Sequence, residues 1–309
     1  MKIAFVGKGG SGKTTLSALF VRSLAGHPVL AFDADINQHL GAALGLAPDV
    51  PLTPLGAHLP ELKEYLRGDN PRIASAGSMV KTTPPGRGSR VLGLGDPLWA
   101  RYGHPVDGAR LLVTGPFSEE DLGVACYHSK VGAVELLLNH LVDDVGEYVV
   151  VDMTAGADAF ASGLFTRFDR TVLVVEPTSK SVGVYRQYRE YAASQDVRIS
   201  VVGNKVLDDV DRRFLEEQVG DDLLACVGYS AAVRAAERGA PLALSDLGAS
   251  DRAALAAIRD AVDATPRDWP RYTRQAVEFH LRNAEAWGNR AVGTDLAAQI
   301  DPDFVLQPR

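Results

Sequence analysis

The chain has 309 residues, 46% of them hydrophobic and 23% charged, which is enough to bury a full core and too apolar for a disordered chain. Its formal charge of −7 gives no sequence-wide basic footprint for nucleic acid or for an anionic membrane. Its two cysteines, Cys126 and Cys226, cannot build a disulfide framework, and no run approaches the roughly 20 apolar residues that span a bilayer, so a soluble cytoplasmic protein is expected.

The chain opens on Ile3–Val6, an apolar run too short for a signal peptide and readable as a first strand. Further strand-like runs follow at Val29–Phe32, Val91–Leu94, Leu111–Val113, Tyr148–Val151, Thr171–Val175, Ile199–Val202 and Leu223–Val227. Most are continuous rather than alternating, as expected of strands covered on both faces. Helical patterns lie between them at Lys13–Leu24, Lys130–Val142, Val182–Ala193, Val210–Val219 and Arg252–Val262. This alternation predicts an α/β fold with a doubly wound, mainly parallel sheet over residues 1–264. Residues 46–108, proline-rich from Pro48 to Pro105, read as an excursion of loops and short helices inside that domain. Residues 265–309 form a C-terminal helical extension, in which Tyr272–Trp287 is a helix with Val277, Leu281 and Ala284 on one side.

The strongest signal is Gly7-Lys8-Gly9-Gly10-Ser11-Gly12-Lys13-Thr14, a gap-free G-x-x-x-x-G-K-[ST] phosphate loop between a strand and a helix. Glycines allow backbone angles that turn successive N–H groups inward as an anion nest, and the helix start adds unpaired N–H groups and the positive dipole end. Lys13 would reach the β- and γ-phosphates of ATP, Thr14 would give its hydroxyl to Mg²⁺, and Thr15 would meet the α-phosphate.

Lys8 carries further information. The stretch Lys8-Gly-Gly-Ser-Gly-Lys-Thr-Thr15 resembles the deviant Walker A motif of the P-loop ATPase family that includes division-site-positioning (MinD) and plasmid-partition (ParA) ATPases, the nitrogenase iron protein and the nickel-insertion ATPases of carbon monoxide dehydrogenase. The resemblance implies a face-to-face homodimer formed on ATP binding, in which Lys8 crosses to the partner's nucleotide. It also implies that Asp35, in Asp33-Ala-Asp35-Ile-Asn37, orients the attacking water. Ile36 stands where many members have proline, and Asp33 could equally cap a turn. Tyr148-Val-Val-Val-Asp152 is similar to Walker B, with Asp152 in the Mg²⁺ shell, and Gly156 falls where the γ-phosphate is read. Asn204 and Lys205 resemble the adenine-reading segment, and Tyr229 lies where the family wraps the base.

Gly123-Val-Ala-Cys126-Tyr-His128, before the helix Lys130–Val142, resembles the dimer-facing loop of the nickel-insertion ATPases, whose Cys-x-Cys pair is not retained. Either Val124 and Cys126 or Cys126 and His128 take its place. The second pairing, doubled across a dimer, would give two thiolates and two imidazoles for Zn²⁺ or Ni²⁺, with His140 near a family histidine. A lone cysteine is otherwise usually a small buried hydrophobe. The expected function is a Mg-dependent ATPase (ATP to ADP and phosphate) that serves as an accessory factor for an unknown metalloenzyme client. The alternative is a positioning ATPase acting on a membrane, DNA or protein cargo. An iron–sulfur electron carrier fits less well, because Cys226 lies inside a predicted strand far from Cys126.

Overall fold

The computed structural model describes residues 1–116, 127–156, 160 and 163–308, with the backbone alone at 127–129. Strands β1 (Lys2–Gly7), β2 (Val29–Ala34), β3 (His104–Val106), β4 (Ala109–Val113), β5 (Tyr148–Met153), β6 (Arg170–Val175), β7 (Ile199–Val206) and β8 (Leu223–Gly228) form one sheet. Its order is β3-β4-β2-β5-β1-β6-β7-β8, and every neighbouring pair is parallel except β3 with β4. The chain moves outward from β1 to β2, returns through β5 and then builds the other half through β6. The sheet is therefore doubly wound about β1, and ligands of such sheets sit at the carboxyl ends of the central strands.

Helices α1 (Lys13–Ser23), α2 (Leu40–Ala43), α3 (Leu59–Arg67), α4 (Leu98–Tyr102), α5 (Tyr127–Asn139), α6 (Ser179–Ala192), α7 (Asp209–Val219), α8 (Ala231–Ala236), α9 (Ala249–Asp263) and α10 (Trp269–Asn283) cover the sheet or extend it. Alternate strand residues serve opposite faces. Ala4, Val149, Val151 and Leu173 meet Leu62 of α3, Leu137 of α5, Tyr185 of α6 and Leu215 of α7. Ile3, Phe5, Val150 and Val172 meet Phe20 of α1 and Ile258 of α9. Each such fully buried Leu, Ile or Phe contributes about 1.5–3 kcal/mol. Both layers are apolar, which explains the unbroken apolar runs.

Three local expectations are corrected. Val91–Leu94 is not a strand of the sheet; Leu92 makes only an isolated bridge to Leu141 beyond the end of α5. The extra strand is β3, turned into β4 by Asp107 and Gly108, both at positive φ. Of the three apolar residues expected on one side of the C-terminal helix, Ala284, just past α10, is buried, but Val277 and Leu281 do not lie on the buried face of α10. Leu281 is 42% exposed, whereas Arg271, Gln275 and His280 are buried. Arg271 donates to the carbonyls of Asp196 and Phe168, and His280 Nε2 lies 3.0 Å from the Leu296 carbonyl, so backbone acceptors take these polar groups inside.

At the opposite edge of the sheet from the strand carboxyl ends, the buried Asp143 carboxylate gathers the Met1 ammonium, Lys2 Nζ and Arg267 Nε. Lys2 also lies over the rings of Trp269 and Tyr272, joining the start of α10 to β1.

Candidate active site

The phosphate loop is the turn from Gly7 into α1. Gly12 caps the helix at φ +94°, and a Cβ there would lie 2.2 Å from Asn204 Nδ2, so both conformation and space demand glycine. Behind the loop Lys13 is mostly buried, with its ammonium 3.0 Å from Asp35 Oδ2.

The carboxylates come from neighbouring strand ends, Asp33 of β2 lying in register with Asp152 of β5. Asp152 Oδ2 accepts from the Thr14 hydroxyl at 2.7 Å. Ser17 Oγ lies 3.2 Å from Asp152 Oδ1 and 2.8 Å from the Lys13 carbonyl, sharing one proton between them. Burial pushes Asp152 up to about 6 against the pull of Lys13, and burial together with Asp152 pushes Asp33 up to about 8. Asp33 accepts from the backbone N–H groups of Asp35 and Leu40, so it shapes the loop that presents Asp35 and starts α2. Asp35 accepts from Asn37 N and Nδ2. Burial works against its charge, but the Asn37 amide and Lys13 outweigh it and hold Asp35 below the usual carboxylate range.

The other wall comes from β6 and β7. Asn204 Nδ2 donates to the Ser11 carbonyl at 2.7 Å, so its amide nitrogen clamps the phosphate loop. Lys205, at φ +61°, donates to the Gly10 carbonyl at 2.7 Å and pairs with Glu176 Oε1 at 2.8 Å. Lys8 Nζ lies 3.5 Å from Glu176 Oε2 and 3.4 Å from the Gly9 carbonyl. Tyr229 is exposed just past β8, with the Arg234 guanidinium 5.4 Å from its ring centre. Gly156 lies past β5 at φ +69°, where an added Cβ would meet no atom of the described residues within 4 Å, while a Cβ on Gly9 would just touch Ala155, so the segment after Asp152 borders the loop.

Ser17 and Glu176 are the site residues that sequence reasoning missed. Neither belongs to a motif; a carboxylate directly after the apolar run of β6 was the one available signal. Cys126 lies outside the described residues, as does the side chain of His128. Among the described residues no cluster of three or more His, Cys, Asp or Glu is arranged to hold a metal ion, and no helix is long and apolar enough to cross a membrane. His140 is a fully buried residue past the end of α5, with Nδ1 2.9 Å from the Leu136 carbonyl.

Residues 3–242 match the family described as the CobQ/CobB/MinD/ParA nucleotide binding domain. The carbon monoxide dehydrogenase accessory protein CooC of Rhodospirillum rubrum is 30% identical over 275 residues, covering 86% of this chain and 98% of that protein. An uncharacterised ATP-binding protein of Methanocaldococcus jannaschii is 29% identical, over 81% of this chain and 94% of its own. Among solved structures, the MinC:MinD cell division complex of Aquifex aeolicus superposes with TM-score 0.55 at 20% identity, over 86% of this chain and 97% of that one. A ParA family ATPase of Chlorobium tepidum gives 0.54 at 16% identity, over 85% and 94%. At these identities the structural likeness establishes the fold alone.

Proposed function

Because the chain belongs to the CobQ/CobB/MinD/ParA nucleotide-binding family, we propose that it is a Mg-dependent ATPase that works as an ATP-gated homodimeric switch. The observation that carries this reading is the convergence of Lys13, Asp35, Thr14 and Asp152 on a gap-free phosphate loop. Lys13 and the loop N–H groups bind the β- and γ-phosphates. Asp35 turns from Lys13 to orient water, and Gly156 offers its N–H to the γ-phosphate. Asn204 Oδ1, Lys205 and Tyr229 border the space for the base. The Thr14 hydroxyl and Asp152 carboxylate, paired at 2.7 Å, are a hard-oxygen set that suits Mg²⁺. When bound there, the ion would offset the phosphate charge. Lys8 acts across the dimer on the partner's nucleotide.

The client is a metalloenzyme under maturation. Support comes from the likeness to CooC over nearly the full length of that protein. Cys126 and His128 would contribute Zn²⁺ or Ni²⁺ ligands between protomers in this reading. Positioning of a membrane, DNA or protein cargo is the competing role, supported only by fold-level likeness. Steady-state phosphate release with and without Mg²⁺, and light scattering with a non-hydrolysable ATP analogue, test the core proposal. Absence of both turnover and analogue-driven dimerisation overturns it.

A further inference from the structure

The Glu176 carboxylate is shared by two ammonium groups, Lys205 on Oε1 at 2.8 Å and Lys8 on Oε2 at 3.5 Å. Three chain segments are thereby drawn together: the phosphate loop, the end of β6 and the end of β7. The position of Glu176 is built rather than incidental. Its N–H donates to Ser181 Oγ at 3.0 Å, its carbonyl accepts from Thr178 N at 2.7 Å, and Thr178 caps α6 by accepting from Ser181 N. Lys205 is fixed from its other side by the Gly10 carbonyl. Lys8 is held more loosely, at 3.5 Å from Glu176 and 3.4 Å from the Gly9 carbonyl, whereas Lys205, about equally exposed, sits at 2.8 Å and 2.7 Å from its two acceptors. The two lysines thus differ in how easily they can leave.

We propose that Glu176 is a latch that parks the Lys8 ammonium on its own protomer until a nucleotide-bearing partner takes it. This inference rests on the reading of Lys8 as the residue that acts across the dimer. Dimerisation must break the Lys8–Glu176 pair, so the latch raises the nucleotide concentration at which protomers join. Lys205 remains on Glu176 and Gly10, keeping the loop closed while Lys8 departs. A half-exposed pair of this kind is worth a small factor, about two- to fivefold in an equilibrium.

The substitution Glu176→Gln removes the charge but keeps an acceptor for Lys205. Light scattering against a non-hydrolysable ATP analogue should show half-maximal dimerisation at about two- to fivefold lower nucleotide than in the wild type. Modification of Lys8 by an amine reagent, followed by mass spectrometry on the nucleotide-free protein, should quicken by a similar factor. In a Lys8→Ala background the same Glu176→Gln change should leave affinity for a fluorescent ATP analogue unmoved. An equal gain of affinity in that background would assign the effect to the lost negative field and overturn the latch. Unchanged dimerisation and unchanged Lys8 reactivity in Glu176→Gln would overturn it too. A wild type that stays monomeric with saturating analogue would instead overturn the dimer reading beneath it.

Discussion

The Lys13 ammonium lies 3.0 Å from the Asp35 carboxylate, so in the proposed function the cation that would bind phosphate is neutralised by the carboxylate that would orient water. Both side chains are about nine-tenths buried, and neither would tolerate isolation there. Entering phosphate must therefore displace Asp35 from Lys13. The substitution Asp35→Ala should bind ATP at least as tightly as wild type, up to about tenfold more so, while hydrolysis falls by about a hundredfold or more. Equilibrium titration with a fluorescent ATP analogue and single-turnover phosphate release measure the two halves. Weaker binding in this variant would contradict the displacement argument.

Lys13→Ala has the opposite consequence. It removes the charge that would face the phosphates and leaves Asp35 and Asp152 without their shared cation. Charge-assisted contacts are worth about 1.5–3 kcal/mol each, so affinity for the ATP analogue should drop by at least about tenfold. Near-wild-type affinity would remove Lys13 from the site.

Lys8→Ala should separate binding from assembly. Lys8 contacts Glu176 and the Gly9 carbonyl and reaches no carboxylate of the Lys13 cluster. Nucleotide affinity should stay within about threefold of wild type, the scale of a weak exposed pair, while analogue-driven dimerisation and turnover are lost. Normal turnover in this variant would place Lys8 in solvent and remove the chain from the signature-lysine class.

These residues differ in how far the sequence revealed them. The phosphate loop is local and gap-free, and the central strands are continuous apolar runs because both faces are covered. Asp107-Gly108 was a readable hairpin signal for β3, yet a three-residue edge strand containing Pro105 carries too little apolar pattern to be noticed. Val91–Leu94 looked like a strand because burial alone selects apolar residues, whichever element they pack on. The face of α10 was misjudged because Arg271, Gln275 and His280 are taken inside by carbonyls distant in sequence. Glu176 and Ser17 escaped for a related reason: their roles are long-range contacts with Lys8, Lys205 and Asp152.

Acid should destabilise the protein through His140. Complete burial, only partly offset by the Leu136 carbonyl, lowers its pKa from the ordinary 6.5 to about 4. Between those values the unfolded chain binds a proton that the folded chain refuses. The stabilisation is complete above about pH 6.5 and is lost as pH falls towards 4, amounting to roughly 3 kcal/mol. Denaturant unfolding of the nucleotide-free protein at pH 7 and pH 4.5, beside His140→Gln, isolates this contribution. The gap between wild type and variant should narrow at the lower pH, and a constant gap would show that His140 takes up its proton in the folded state as readily as in the unfolded one.

Asp152 is held by α1 through two hydroxyls, and this bears on how it would present a carboxylate to Mg²⁺. Thr14 Oγ1 donates to Oδ2 at 2.7 Å, and Ser17 divides its proton between Oδ1 and the Lys13 carbonyl. Loss of the charge should be severe and loss of the second hydroxyl mild, since supports outside the ligand set typically cost about 10-fold upward in metal affinity and Ser17 is only half committed. Asp152→Asn should therefore raise the Mg²⁺ needed for half-maximal binding of the ATP analogue by more than about tenfold, and Ser17→Ala by about two- to fivefold. Binding measured in excess chelator should be little changed by Ser17→Ala, because that hydroxyl makes no contact with the phosphate-binding N–H groups. A Mg²⁺ titration of fluorescence at fixed nucleotide distinguishes these effects. If Ser17→Ala weakens chelator-treated and Mg²⁺-loaded binding equally, Ser17 supports the loop through the Lys13 carbonyl and has no role in aiming Asp152.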